Sequence, residues 1–316
     1  MRRLLCILTA LAGCHQPQRI EVEPAAAVRA PQAISLLGDT LSVVPMSDAA
    51  RQRAERQLAD AYTAYQHTPT NPDSIIWYAR RLGYLGRFRE AIDVYSLGIE
   101  LHPNNPWLYR HRGHRYITVR ELDRAVKDLE RARDLTRGKP DEVEPDGQPN
   151  AQNIPIGTLQ SNIDYHLALA YYLKGDFARA IPVYAHELAN ARNDDRRVSI
   201  AYWYVLALRR LGRADDADAV LRELPAEMQI IENDSYRDLL RVFEGKLRAD
   251  SVLAAAELSG GRSSVSYVTT GYGIATWRLL NGRRGEATDV YRKIVQGSQW
   301  PAFGYIAAEA ELARLR

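Results

Sequence analysis

One recurrence constrains this chain more than any other feature. Pro-Thr-Asn-Pro at 69–72 returns as Pro-Asn-Asn-Pro at 103–106, 34 residues later, and Ala91 and Ala125 stand at the same interval. From residue 47 onward the sequence is nearly all helix-forming. A unit of this length can hold two helices and a turn, but it cannot bury an apolar face alone. Copies must stack on one another, which sets an all-α array of hairpins rather than a sheet or a mixed domain.

The stretch 77–92, Trp-Tyr-Ala-Arg-Arg-Leu-Gly-Tyr-Leu-Gly-Arg-Phe-Arg-Glu-Ala-Ile, gives the unit its character. It resembles the tetratricopeptide repeat, whose signature has a small residue at position 8, a large one at 11, Gly at 15, an aromatic at 17, Ala at 20, an aromatic at 24 and Pro at 32. With Gly86 at position 15, those places hold Ala79, Leu82, Phe88, Ala91, Tyr95 and Pro103. The next unit follows in register with Gly113, Tyr116, Leu122, Ala125 and Leu129, and Arg120 replaces the turn glycine. A third has Ala168, Tyr171, Gly175, Phe177, Ala180 and Tyr184. A looser fourth has Val205, Leu208, Gly212, Ala214, Ala217 and Leu221, and a last shows Gly282, Ala287 and Tyr291. The resemblance implies a right-handed α-solenoid. Positions 8 and 20 meet where the helices come closest, so bulk is excluded there.

The intervals between position-20 alanines divide the chain. Ala180 to Ala217 is 37 residues; Ala217 to Ala287 is 70, room for a further degenerate unit around Tyr236 to Leu258. Ala125 to Ala180 is 55, one repeat plus about 21 residues, and the surplus falls at 138–157, rich in Pro, Gly, Asp and Asn, a loop by composition. The expected organisation is a helix and two repeats over 47–136, a loop over 137–160, and over 161–316 two clear units, one or two degenerate ones and a C-terminal capping helix. Before them, 14–46 is Pro/Ala-rich and suits an extended tether. Its more apolar part, 34–44, is open to a second reading as an extended segment laid against the body.

Residues 1–13 read as an export signal: Arg2 and Arg3, then an apolar run at 4–12 far short of the roughly 20 residues that span a bilayer. Leu11-Ala12-Gly13-Cys14 resembles the lipobox of bacterial lipoproteins, which implies lipidation of Cys14 and a membrane anchor without a transmembrane helix. His15, rather than aspartate, follows that cysteine, so the periplasmic face of the outer membrane is the expected location. The chain has two cysteines, Cys6 and Cys14, so the mature body has no thiol for a disulfide or a metal. Outside Arg2 and Arg3 there remain 40 basic and 39 acidic side chains, a balance of +1. That gives no electrostatic footprint for nucleic acid.

Catalytic motifs fail on single residues. His186-Glu187 begins a zinc-protease helix motif, but Asn190 stands where the second histidine belongs. Gly271-Tyr272-Gly273 lacks the third glycine of a dinucleotide loop, with Thr276 in its place. His111 and His114, one turn apart, have no acidic or cysteine partner at useful spacing. The sequence therefore points to no enzyme, no metal and no cofactor. What remains is the concave groove. Positions 2, 5, 9, 12 and 13 line it in this family, which places Arg80, Tyr84, Trp107, Arg110, His114, Tyr165, Tyr172, Tyr202, Arg209 and Arg210 there. Arginines among aromatics suit a peptide or protein partner. The expected function is a membrane-anchored interaction scaffold or adaptor in the bacterial envelope, with no small-molecule substrate. The alternative is a structural subunit of a secretion, pilus or outer-membrane-protein assembly machine. A small-ligand site would require a buried carboxylate or histidine pair in a closed pocket, and neither is visible in the sequence.

Overall fold

The structure, a computed structural model, describes residues 31–316. The signal segment and Cys14 lie outside the described residues. Two short strands, β1 (Ala33–Ile34) and β2 (Thr40–Leu41), pair antiparallel. α1 (Asp48–His67) follows, and then six helical hairpins. These are α2 (Pro72–Tyr84) with α3 (Phe88–Leu101), α4 (Pro106–Thr118) with α5 (Leu122–Thr136), and α6 (Leu159–Lys174) with α7 (Phe177–Ala189). α8 (Asp194–Arg210) pairs with α9 (Ala214–Glu223), α10 (Asp234–Phe243) with α11 (Ala249–Gly260), and α12 (Val265–Leu280) with α13 (Arg284–Val295); α14 (Phe303–Leu315) is last. The molecule is an α-solenoid of tetratricopeptide-type hairpins. Among the described residues no helix is long and apolar enough to cross a membrane.

The recurring Asn-Pro is a helix-start signal. Asn71 Oδ1 accepts from the amides of Asp73 and Ser74 at 2.9 and 3.2 Å, and Asn105 Oδ1 from Trp107 N at 2.9 Å. Pro72 and Pro106 fill the first helical position, where a missing N–H costs nothing. Each such cap contributes about 1 kcal/mol.

The turns share one closure. At Gly86 (φ +76°) the Arg87 amide donates to Leu82 O and the Gly86 amide to Gly83 O, both at 3.0 Å, the paired bonds that end a helix in a left-handed residue. The same long bond recurs beside Gly175, Gly212, Gly245 and Gly282, each also at positive φ. The 70-residue interval thus contains a full hairpin, α10–α11, turned at Gly245. The turn between α4 and α5 uses Arg120 at φ +67°, a conformation costing a side-chain-bearing residue about 1–2 kcal/mol.

Within hairpins the small residues do what their spacing requires. Ala79, Ala91, Ala125, Ala168, Ala180, Ala275 and Ala287 are fully buried. A Cβ at Gly113 would stand 2.7 Å from Leu129 Cγ, so α4 and α5 approach too closely for any side chain there. Tyr95, Tyr116, Tyr184 and Tyr291 fill the space alongside.

The array also closes on itself. α14 packs on α12 and α13, where a Cβ at Gly304 would meet Val268 O at 2.6 Å, and its far side reaches α6. Glu309, fully buried, accepts from Arg120 Nε and Nη2 at 3.0 and 2.8 Å and from Leu36 N at 3.2 Å. Glu311 pairs with Arg210 and Arg314. The segment carrying β1 and β2 covers the seam: Trp300 Nε1 donates to Ser42 O at 2.7 Å, and its ring meets Phe88 edge-on at 5.3 Å. A concave groove was the expectation; the glutamates of α14 meet arginines of the second and fourth hairpins and draw the last helix across it.

Removing one partner of a buried pair leaves an uncompensated charge. Arg120→Met and Glu309→Met are each expected to destabilise by about 3–5 kcal/mol, with the double variant losing much less than the sum. Denaturant titration of the four proteins checks this; additive losses would contradict it.

Candidate functional site

On the inner face of the array lies a partly open cavity of about 360 Å³, built from the inward faces of successive first helices. α2 supplies Arg80 and Tyr84, one turn apart on one face. α4 supplies Arg110, His111, His114 and Arg115, while Tyr165 and His166 come from α6, Arg196 from α8, Tyr236 from α10 and Phe303 from α14. The roof is the acidic loop between α5 and α6.

That loop is seated by named bonds. Val143 and Thr158 form an antiparallel bridge, with Glu144 N donating to Gly157 O at 3.0 Å and Leu159 N to Glu142 O at 2.8 Å. Glu144, buried, stands with Oε2 at 2.9 Å from Arg110 Nε, a charge contact without hydrogen-bond alignment, and accepts from Asn162 Nδ2 at 2.9 Å. Arg80 Nη2 donates to Pro145 O and Arg81 Nη1 to Gly147 O, each at 2.9 Å. Gly147 lies flat on Tyr84, where a Cβ would fall 1.8 Å from the hydroxyl oxygen. Only glycine fits.

The floor holds three histidines. His114 and His166 rings are 4.3 Å apart at their centres, and Phe303 packs on both. His166 Nδ1 donates to Asn162 O at 2.5 Å. Burial first, and then the neighbouring arginines, push His111, His114 and His166 well below the ordinary histidine range, so all three are neutral at pH 7. Among the described residues no group of three or more His, Cys, Asp or Glu could hold a metal ion.

The candidate residues separate into groups. Arg80, Tyr84, Arg110, His114 and Tyr165 line this one cavity. Trp107 does not; it packs beside His111 at the outer edge of α4. Tyr172 and Tyr202 are core: Tyr172 shares a 2.6 Å hydrogen bond with Tyr272, and both are screened by Trp203. Arg209 pairs with Asp218 and Arg210 with Glu311, so neither is available to a ligand in the cavity. Closure of the array is the reason, since it turns groove positions of the third and fourth hairpins into interior. Arg115, His166, Arg196 and Glu144 were not singled out by sequence. The two former lie one residue beyond groove positions 9 and 5, and a tightly curved array brings that adjacent stripe inward. The buried carboxylate and histidine pair that the sequence did not reveal are thus present together.

Searched against protein-family models and against curated proteins, the sequence finds no match. Solved structures do match in outline. YrrB, a tetratricopeptide repeat protein with an unusual peptide-binding site, is 13% identical over 80% of this chain and 97% of its own, with a TM-score of 0.39. MamA is 15% identical over 65% of this chain and 100% of its own, TM-score 0.42. A tetratricopeptide repeat protein from Parabacteroides merdae is 13% identical over 83% and 93%, TM-score 0.47.

Two outcomes follow from this geometry. Gly147→Ala should unseat the roof and expose 138–157 to limited proteolysis, and Tyr84→Ala in the same chain should restore protection; unchanged cleavage in the single variant would contradict the packing. For the histidines, a folded-state pKa depressed below about 6.5 means the unfolded chain binds protons first, so stability falls as pH drops below 6.5, by up to about 1.4 kcal/mol per pH unit for each histidine. Glu187, pushed up to about 7 by burial, works in the opposite sense. The histidine part is therefore read as the difference in unfolding free energy between wild type and His166→Asn at pH 7 and pH 5, and equal slopes would refute it.

Proposed function

We propose that this protein is an interaction scaffold whose inner face receives an extended acidic segment of a protein partner. The observation that carries the reading is that the groove already holds one. Residues 143–147, Val-Glu-Pro-Asp-Gly, lie across α2 and α4 with a glutamate on Arg110 and two backbone carbonyls on Arg80 and Arg81. That is how a groove reads an extended peptide: charge pairing for one side chain and backbone bonds for register. The loop occupies the site in cis, so a partner binds by replacing it, with affinity reduced by the fraction of time the loop is seated.

The lipobox-like Leu11-Ala12-Gly13-Cys14 supports a membrane tether at Cys14 and a place in the bacterial envelope, on the periplasmic face of the outer membrane. Labelling with a radioactive fatty acid should mark wild type and not Cys14→Ser; label retained in the variant would exclude the anchor.

For the groove, a fluorescent peptide carrying Val-Glu-Pro-Asp-Gly should bind the full chain, and binding should tighten about tenfold in Glu144→Gln, whose own loop is weakened. Arg110→Ala should lose it. Equal anisotropy with the peptide's acids changed to amides would rule out the acidic-segment reading.

A further inference from the structure

The seated loop covers the cavity without filling it, and the chemistry of what remains is one-sided. Four guanidinium groups line it: Arg80, Arg110, Arg115 and Arg196. One buried carboxylate, Glu144, faces them; Asp146 and Glu232 stand at the rim, half-buried and exposed. Arg196 is already committed to Glu187 and to Ser161 O. Arg115 is different. It forms no ion pair among the described residues; its Nη2 lies 2.9 and 3.0 Å from the two ring nitrogens of His114, and its guanidinium lies over Phe88 at 5.4 Å. Gly83 is the residue that lets it through, since a Cβ there would sit 3.1 Å from Arg115 Nη1.

Arg115 is half-buried, and drawing a charged group out of water without a counter-charge costs free energy. Here the deficit is compounded by donors with nothing to donate to. His111 Nε2 and Arg196 Nε belong to cavity-lining side chains about nine-tenths buried and have no hydrogen-bond partner; the carboxylate facing His111 Nε2, Glu144 Oε1, stands 3.9 Å away. The Arg110 Nη1 contact to His111 Nδ1 at 3.1 Å makes Nδ1 the acceptor and leaves the proton on Nε2. Buried donors normally find an acceptor. The remaining walls are aromatic: Tyr95, Tyr165, Tyr236 and Phe303 together with the tilted His114–His166 pair. A cavity of about 360 Å³ is at the small end of the usual ligand range of about 300–1,000 Å³.

We infer that the cavity is a binding site for a small organic carboxylate carrying an aromatic or apolar group, with Arg115 as its principal charge partner and the 138–157 loop as its roof. Guanidinium and carboxylate match in shape and charge, and the neutral imidazoles supply a donor and flat surfaces without competing for the anion. Because the ligand sits beneath the seated loop and a partner segment takes the loop's place, the two bind in opposition: each weakens the other by the same factor. The anion site itself does not rest on the partner reading, and its test uses neither peptide nor partner.

The test is calorimetric titration of the detergent-solubilised full chain with benzoate, benzamide and inorganic phosphate. Benzoate should bind with an affinity at least tenfold above that of benzamide, the uncharged isostere. Arg115→Met should weaken benzoate at least tenfold and Arg115→Lys by less. Thermal unfolding of each variant confirms that it is folded; if Arg115→Met is not, Arg115→Lys carries the comparison. Binding of benzamide as strong as benzoate, phosphate preferred over benzoate, benzoate affinity unchanged in a folded Arg115 variant, or no heat with any probe in wild type would each overturn the assignment.

Discussion

The bond between Arg120 and Glu309 joins residues 189 apart and turns a row of hairpins into a closed body. Each side carries a cost that the other helps to offset. Arg120 holds a left-handed backbone that its counterparts leave to glycine, and Glu309 is a carboxylate removed from water. Strain of about 1–2 kcal/mol and a buried charge persist where the surroundings over-determine them. Three donors converge on Glu309 here, and Trp300 stacks near the guanidinium at 5.3 Å. With α14 fixed in this way, Phe303 is delivered against His114, His166 and Tyr165, and the groove acquires a far wall.

Closure changes what the inner face can do. An open solenoid presents arginines to water, where a surface ion pair is worth at most about 1 kcal/mol. Behind α14 and beneath the 138–157 loop the same guanidinium groups are poorly hydrated, and every acceptor they find counts for more. The loop's Glu144 satisfies one, the backbone at Pro145 and Gly147 satisfies others, and Arg115 remains. Occupancy by the chain's own acidic segment and an unmet demand for anion are two consequences of one excess of positive charge on the inner face.

The fold was legible in the sequence because its signals are local. Asn-Pro marks helix starts, glycine marks the turns, and alanines at positions 8 and 20 mark close contacts, all readable from spacing alone. Arg120 was visible as a departure at the turn but not as a clamp, since its partner is 189 residues away and no periodic rule links them. The site was legible in part for the same reason. Arg80, Tyr84, Arg110, His114 and Tyr165 follow from repeat position, whereas Tyr172 and Tyr202 were lost to the core by a closure that repeat arithmetic does not encode. Glu144 and Gly147 were hidden in a stretch recognisable only as loop by composition. Its acidic Glu-Pro-Asp-Gly run had meaning only once the arginines beneath it were in place.

The central claim is that the loop is seated in the groove of the resting protein. Deuterium uptake of the peptide covering 140–159 tests it most directly, because the Glu144 and Leu159 amides close a bridge between the loop's two ends, and the groove arginines hold the span between them. Slow uptake in wild type, rising toward the free-chain rate in Arg110→Ala, is the expected result. Uptake at the free-chain rate in wild type would contradict the account.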